Sequence, residues 1–182
     1  MTMMHMQRRE FLLASAGLMM AAQGVLAQRT PDVIFVPTEF ETLFAMLNLA
    51  QVTSKDVLYD LGCGDGRFVV SAALKFGARG VGIDIDPQRI SEARELAQRT
   101  KSEDKVRFIE ADLFEADISD ATVVTLYLLT SLNMKLRPKL LKELKPGTRI
   151  VSHAFAMGDW APAKTASVGG TPIYLWRVPA RG

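Results

Sequence analysis

Two spacings of apolar residues alternate along this chain. Short, nearly unbroken apolar runs fall at 57–59, about 79–84, about 105–110, 121–129 and about 149–155. Between them, apolar residues recur three and four apart: at 68–74, in Ile90, Ala93, Leu96 and Ala97 of a stretch opened by Pro87 and running to about Thr100, and at 132–144. The first spacing predicts strands buried on both faces and the second predicts helices. Before the first strand, Pro37 keeps Val36 extended. Phe40, Leu43, Phe44, Leu47 and Leu49 then have helical spacing, with Thr38 as the expected N-cap and Glu41 completing a capping box. The acidic link 113–120 is too short for a full helix. After 155, arms at 164–168 and 173–178 flank Gly169-Gly170-Thr171-Pro172, the pattern of a hairpin. These elements predict an α/β fold: a doubly wound, mostly parallel sheet closed by a C-terminal antiparallel hairpin.

The first strand runs into Asp60-Leu61-Gly62-Cys63-Gly64-Asp65-Gly66-Arg67, with a helix directly behind it. Strand, glycine turn and helix form a nucleotide cradle, because glycines admit close backbone approach and the helix start offers unpaired N–H groups. A dinucleotide fingerprint needs a third glycine where Arg67 stands. The acid at the strand end would repel a phosphate and suits a cationic ligand with an amine, such as S-adenosylmethionine. Asp84 ends the second strand about 20 residues on, the distance expected of a carboxylate on ribose hydroxyls, and Asp86 is placed to cap the helix behind Pro87. Asp112 follows the third strand. Asp60, Asp84 and Asp112 thus mark three successive strand ends.

This constellation resembles the class I S-adenosylmethionine-dependent methyltransferases. The resemblance implies a Rossmann-like domain over 28–182, with Asp60, Gly62, Gly64, Asp65, Gly66 and Asp84 around the cofactor and Asp112 and Leu113 at its adenine. Phe35-Val36-Pro37-Thr38, Asp60 to Arg67, Asp112-Leu113, Thr125 to Leu129, Leu136 to Leu144, Arg149 to Phe155 and Trp160-Ala161-Pro162 narrow it. They resemble the branch of lysine methyltransferases acting on ATP synthase c subunit and adenine nucleotide translocase. That implies a protein lysine as acceptor, with membrane proteins among the substrates; a small-molecule acceptor, or binding of S-adenosylmethionine without turnover, are the alternatives. Tyr127 at the end of strand four and Thr38 are the catalytic candidates, followed by His153 and Trp160, each of which also reads as a structural residue.

Composition narrows the partners. A chain of 182 residues with a formal net charge of +2 and no cluster of Lys and Arg interleaved with aromatics predicts no nucleic-acid partner. The single cysteine, Cys63, excludes an intramolecular disulfide, and no metal site is expected. Residues 1–27 resemble a twin-arginine export signal: Arg8-Arg9, a short apolar run from 11 to 22, and Val25-Leu26-Ala27 before Gln28. Gln7 and Leu13 depart from the usual flanks. An exported or cell-envelope location follows from the signal, and a cytoplasmic one if the start codon is mis-assigned. The expected outcome in cell fractionation is export that depends on the arginine pair and a mature start at Gln28. Full-length protein in the cytosol for both the wild type and Arg8→Lys/Arg9→Lys would remove the signal.

Overall fold

The computed structural model describes residues 34–181; the segment read as an export signal lies outside them. The chain runs α1 (Phe40–Leu49), β1 (Val57–Leu61), α2 (Arg67–Phe76), β2 (Arg79–Asp84), α3 (Pro87–Thr100), β3 (Val106–Glu110), β4 (Val123–Leu126), α4 (Thr130–Glu143), β5 (Arg149–His153), β6 (Lys164–Val168) and β7 (Thr171–Arg177). The strands form one sheet in the order β3-β2-β1-β4-β5-β7-β6. All pairs from β3 to β5 are parallel, and β7 runs antiparallel to both β5 and β6. The doubly wound sheet with its closing hairpin is therefore the observed architecture.

Two apolar layers cover the sheet, and the period of two along each strand divides residues between them. On one face Leu58 of β1 joins Leu43, Met46, Leu47, Val69, Ile90 and Ala93 from α1, α2 and α3. On the other, Tyr59 and Leu61 join Leu136, Leu140 and Leu144 of α4. At the amino edge of the strands, the Asp56 carboxylate accepts from the Thr53 amide (2.8 Å), the Thr122 hydroxyl (2.7 Å) and Arg149, tying together the starts of β1, β4 and β5.

Helix starts differ from expectation at one place. Asp86 caps α3, its carboxylate accepting from the Gln88 amide at 2.9 Å. The expected capping box at Thr38 and Glu41 does not form: α1 starts two residues later, behind Glu39, with no side-chain cap. The Thr38 hydroxyl is engaged instead with His153 across the fold (3.3 Å). Strand four is also shorter than its apolar run, Val123–Leu126 rather than 121–129. Tyr127, Leu128 and Leu129 continue past the hydrogen-bonded ladder into the carboxyl-edge loop, where Tyr127 and Leu128 line the cavity described below. Likewise β5 ends at His153, because Ala154 turns into the left-handed region at φ +63.

Gly82 in β2 shows how tightly the turn sits on the sheet. A Cβ there would lie 2.6 Å from Phe108 and 2.8 Å from the Cys63 sulfur. Overpacking of this kind costs about 1–3 kcal/mol. Gly82→Ala is expected to lower Tm by several degrees for a chain of this size, read by thermal unfolding; an unchanged Tm would mean that the turn yields freely.

Candidate functional site

The strand order reverses between β1 and β4, both of which start from the middle of the sheet. In doubly wound sheets the crevice at the carboxyl end of such a switch point is where ligands bind. An open cavity of about 990 Å³, counted out to its mouth, lies at that edge. Asp60, Gly62, Asp65, Asp84, Asp112, Leu113, Tyr127 and Thr38, all read from the sequence as site residues, border it.

The carboxylates reach it from different depths. Asp60 lies within β1, paired in register with Gly82 on one side and Thr125 on the other. It is 5% exposed, and its carboxylate accepts from the Thr125 hydroxyl at 2.6 Å. Burial pushes the Asp60 carboxyl up to about 8; the Thr125 hydrogen bond works against this, and the neighbouring Asp84 and Asp65 add to the rise. Asp84 is the last residue of β2. Its two oxygens accept from the Gly64 amide (2.8 Å) and the Asp86 amide (3.0 Å), which locks the glycine turn to the end of β2 and leaves lone pairs for a ligand hydroxyl. Asp112 stands two residues beyond β3 and accepts from the Phe114 amide at 2.9 Å. One buried carboxyl that favours its neutral form until a cation arrives, with two further acids on the same wall, fits a ligand carrying positive charge and hydroxyl or amino donors.

The glycines divide by direction. Gly62, Gly64 and Gly66 all have positive φ, at 82, 51 and 78, which L side chains rarely adopt. A Cβ on Gly64 would meet the Phe35 ring at 2.1 Å, on the cavity side of the turn. A Cβ on Gly66 would meet Phe108 and Ala93 at 2.7 and 2.8 Å, so Gly66 faces the packing of α3 and β3. Asp65 turns toward Arg67, with oxygens at 2.6 to 3.1 Å from its guanidinium nitrogens. Cys63 is buried, and burial, followed by Asp60 and Asp84, holds its thiol well above the usual range; it stays a protonated packing residue, not a nucleophile.

A strap across the cavity was not legible as such. Ile34, Phe35, Val36, Pro37 and Thr38 all border it. Phe35 lies against Gly64, with the Arg89 guanidinium 4.9 Å from its ring centroid. Arg67 donates to the Thr38 carbonyl at 2.8 Å. Tyr127 also borders the cavity, its ring centroid 4.0 Å from that of His153 and 6.1 Å from that of Phe155. Trp160 does not border the cavity; its carbonyl accepts from the Trp176 indole at 2.7 Å, a core contact. Thr125 was also missed. Its signal was a hydroxyl residue inside the otherwise apolar Val123-Val124-Thr125-Leu126, which needs a buried partner.

Comparison with known proteins places this cavity. The family model described as the ANTKMT methyltransferase domain matches residues 60–164. A protein-lysine N-methyltransferase of Saccharolobus islandicus is 45% identical over 139 residues, 76% of this chain and 86% of that protein. The adenine nucleotide translocase lysine N-methyltransferase of Mus musculus is 32% identical over 126 residues, 69% of this chain but only 55% of the mouse protein. A crystal structure described as an RNA methyltransferase from Salinibacter ruber in complex with S-adenosyl-L-homocysteine superposes with a TM-score of 0.79 and 55% identity, covering 80% of this chain and 95% of that one. With the glycine turn, the carboxyl-edge cavity and the strand order all in place, the chain belongs to the ANTKMT methyltransferase domain family and is an S-adenosylmethionine-dependent methyltransferase.

Proposed function

We propose that this enzyme methylates a protein lysine, with the cofactor held by Asp60, Gly62, Asp65, Asp84, Asp112 and Leu113, which border the cavity, with Gly64 and Gly66 shaping the turn behind them, and with the acceptor admitted beside Thr38 and Tyr127. The similarity to the Saccharolobus lysine methyltransferase over 86% of that protein carries the acceptor class. The rim supports it. Ile34, Phe35 and Val36 on the strap border the cavity and are large apolar side chains left between 42% and 86% exposed. Such a rim suits a macromolecular acceptor better than a small one, and by the same reading membrane-protein segments are among the substrates.

Bound S-adenosylmethionine supplies an activated methyl group on a sulfonium. The chain's own work is placement and exclusion of water. In this reading Asp60 accepts from the cofactor's amino group, Asp84 from its ribose hydroxyls and Asp112 from its adenine amine. The acceptor ammonium has to lose its proton, and a wall of Val36, Leu128 and Leu132 favours the neutral amine by desolvation. Tyr127 and Thr38 are the polar groups at that end.

An RNA acceptor is the second reading, favoured by the description of the Salinibacter structure. Labelling cell lysates and purified RNA with methyl-tritiated cofactor decides between them. Label recovered as methyl-lysine after protein hydrolysis is the expected result; label in RNA or in a small-molecule extract instead would overturn the lysine acceptor.

The cofactor assignments make their own predictions. Asp84→Ala removes charge-assisted bonds to ribose, which weakens both S-adenosylmethionine and S-adenosylhomocysteine about 10- to 150-fold in calorimetry; equal affinities would remove Asp84 from the ribose. Asp60 sets a pH dependence. Its carboxyl is mostly protonated at pH 7 and a cation favours the carboxylate, so binding releases a proton and affinity rises as pH approaches 8. Calorimetry at pH 7 in buffers of different ionisation enthalpy should show this release for the wild type and not for Asp60→Asn. In the unliganded protein the sign reverses. The folded state binds the extra proton between the unfolded value near 4 and about 8, so this carboxyl's contribution to stability falls as pH rises through that window.

A further inference from the structure

The structure points to one residue behind the acceptor end that no comparison assigns. We propose that His153 is a positioning residue of methyl transfer, fixing Thr38 and Tyr127 side by side at one end of the cavity. The inference rests on the reading that the acceptor enters beside those two residues.

His153 does not itself border the cavity, but it touches both residues that do at this end. Its Nδ1 shares a hydrogen bond with the Thr38 hydroxyl at 3.3 Å. Its ring lies against that of Tyr127, with centroids 4.0 Å apart and planes tilted by 33°. Thr38 is on the strap, Tyr127 follows β4 and His153 ends β5. One imidazole therefore joins three segments far apart in sequence, and the strap is anchored at Thr38 twice, through its hydroxyl to His153 and through its carbonyl to Arg67. Without the imidazole, the hydroxyl loses its partner and Tyr127 loses the surface that sets its ring angle.

The backbone is built to hold the ring there. Ala154, the next residue, has φ +63, a left-handed conformation that is unfavourable for an alanine and persists where the surroundings over-determine it. The Ala154 amide donates to the Pro172 carbonyl at 2.9 Å and the Phe155 amide to the His153 carbonyl at 2.7 Å. This turn swings the chain off the sheet directly after the imidazole and brings Phe155 to the other side of Tyr127.

The ring's charge state follows from its neighbours. Thr38 from the strap and Tyr127 from the β4 extension contact the ring, and Ile173 pairs with it on β7. Tyr127 is the titratable group among them, and the Arg67 guanidinium meets Thr38 at its carbonyl. Desolvation lowers the His153 pKa below its ordinary value, so the ring is neutral at pH 7. A neutral ring positions Tyr127 without setting a positive charge behind it, where it would oppose a cationic acceptor on arrival.

The test compares His153→Phe, which keeps a ring on Tyr127 but gives up the bond to Thr38, with His153→Gln, which keeps an amide to meet the hydroxyl. For His153→Phe the expected result is a cofactor Kd within about twofold of wild type and acceptor kcat/KM reduced about 10-fold, the size of one lost hydrogen bond. His153→Gln should recover most of this. On top of the acid limbs set by Asp60 and by the acceptor ammonium, the wild-type kcat/KM should show a further inflection below the ordinary histidine range, and this inflection should disappear in His153→Gln. Unchanged kcat/KM in His153→Phe, or the same inflection surviving in His153→Gln, would overturn the proposal. If the wild type labels no protein, the lysine acceptor fails by itself. His153 is then decided by the Thr38 and Tyr127 resonances in NMR of the cofactor-bound protein: they shift together as the wild type is titrated through the His153 pKa, and independence of that titration overturns the proposal.

Discussion

The carboxyl of Asp60, buried at the end of the central strand under a single threonine hydroxyl, is the constraint on which the site depends. Sequestering an acid there is costly unless it is neutral or paired with a cation. The fold makes the placement unavoidable. β1 is flanked on both sides by parallel strands, so its fourth residue has sheet on either hand and the glycine turn directly beyond it. Thr125 meets one oxygen from β4; the remainder of the acid's demand is left for what enters the cavity. A site of this kind discriminates by charge. It disfavours phosphate and rewards an amine or sulfonium, which is how a strand–glycine–helix unit otherwise suited to nucleotide phosphates comes to serve S-adenosylmethionine.

Around that acid the molecule is fastened by short polar ties. Asp84 takes the Gly64 amide and fixes the shape of the turn. Arg67, held by Asp65, reaches back to the Thr38 carbonyl. His153 takes the Thr38 hydroxyl. Residues 34–38 thereby form a wall of the cavity although they make no strand or helix of their own. The strap brings apolar side chains to the cavity's rim, so the element that walls the cavity also shapes its mouth.

Most of the architecture was legible because its signals are local. Apolar runs gave the parallel strands, and Pro87 with Asp86 gave the start of α3 to the residue. The acids Asp60, Asp84 and Asp112 were legible because residues at or next to the ends of parallel strands gather at the carboxyl edge whatever the rest of the chain does. What was not legible depends on contacts between distant segments. Thr38 and Glu41 have the spacing of a capping box, yet Thr38 is spent on His153, 115 residues away. The run 121–129 reads as one strand, yet its last three residues leave the ladder, and Tyr127 and Leu128 line a cavity. Gly64 and Gly66 look equivalent in the motif, but one faces Phe35 and the other Phe108; only the direction of the absent Cβ separates them. Thr125 was the one missed residue with a local signal.

The most direct measurement is a crystal structure of the protein with S-adenosylhomocysteine bound. The account predicts the ligand in the carboxyl-edge cavity beneath residues 34–38, its amino group within hydrogen-bonding distance of Asp60, its ribose hydroxyls on Asp84 and its adenine between Asp112 and the end of β2. Ligand density outside this cavity, or within it but with no polar contact to Asp60 and Asp84, would contradict the account.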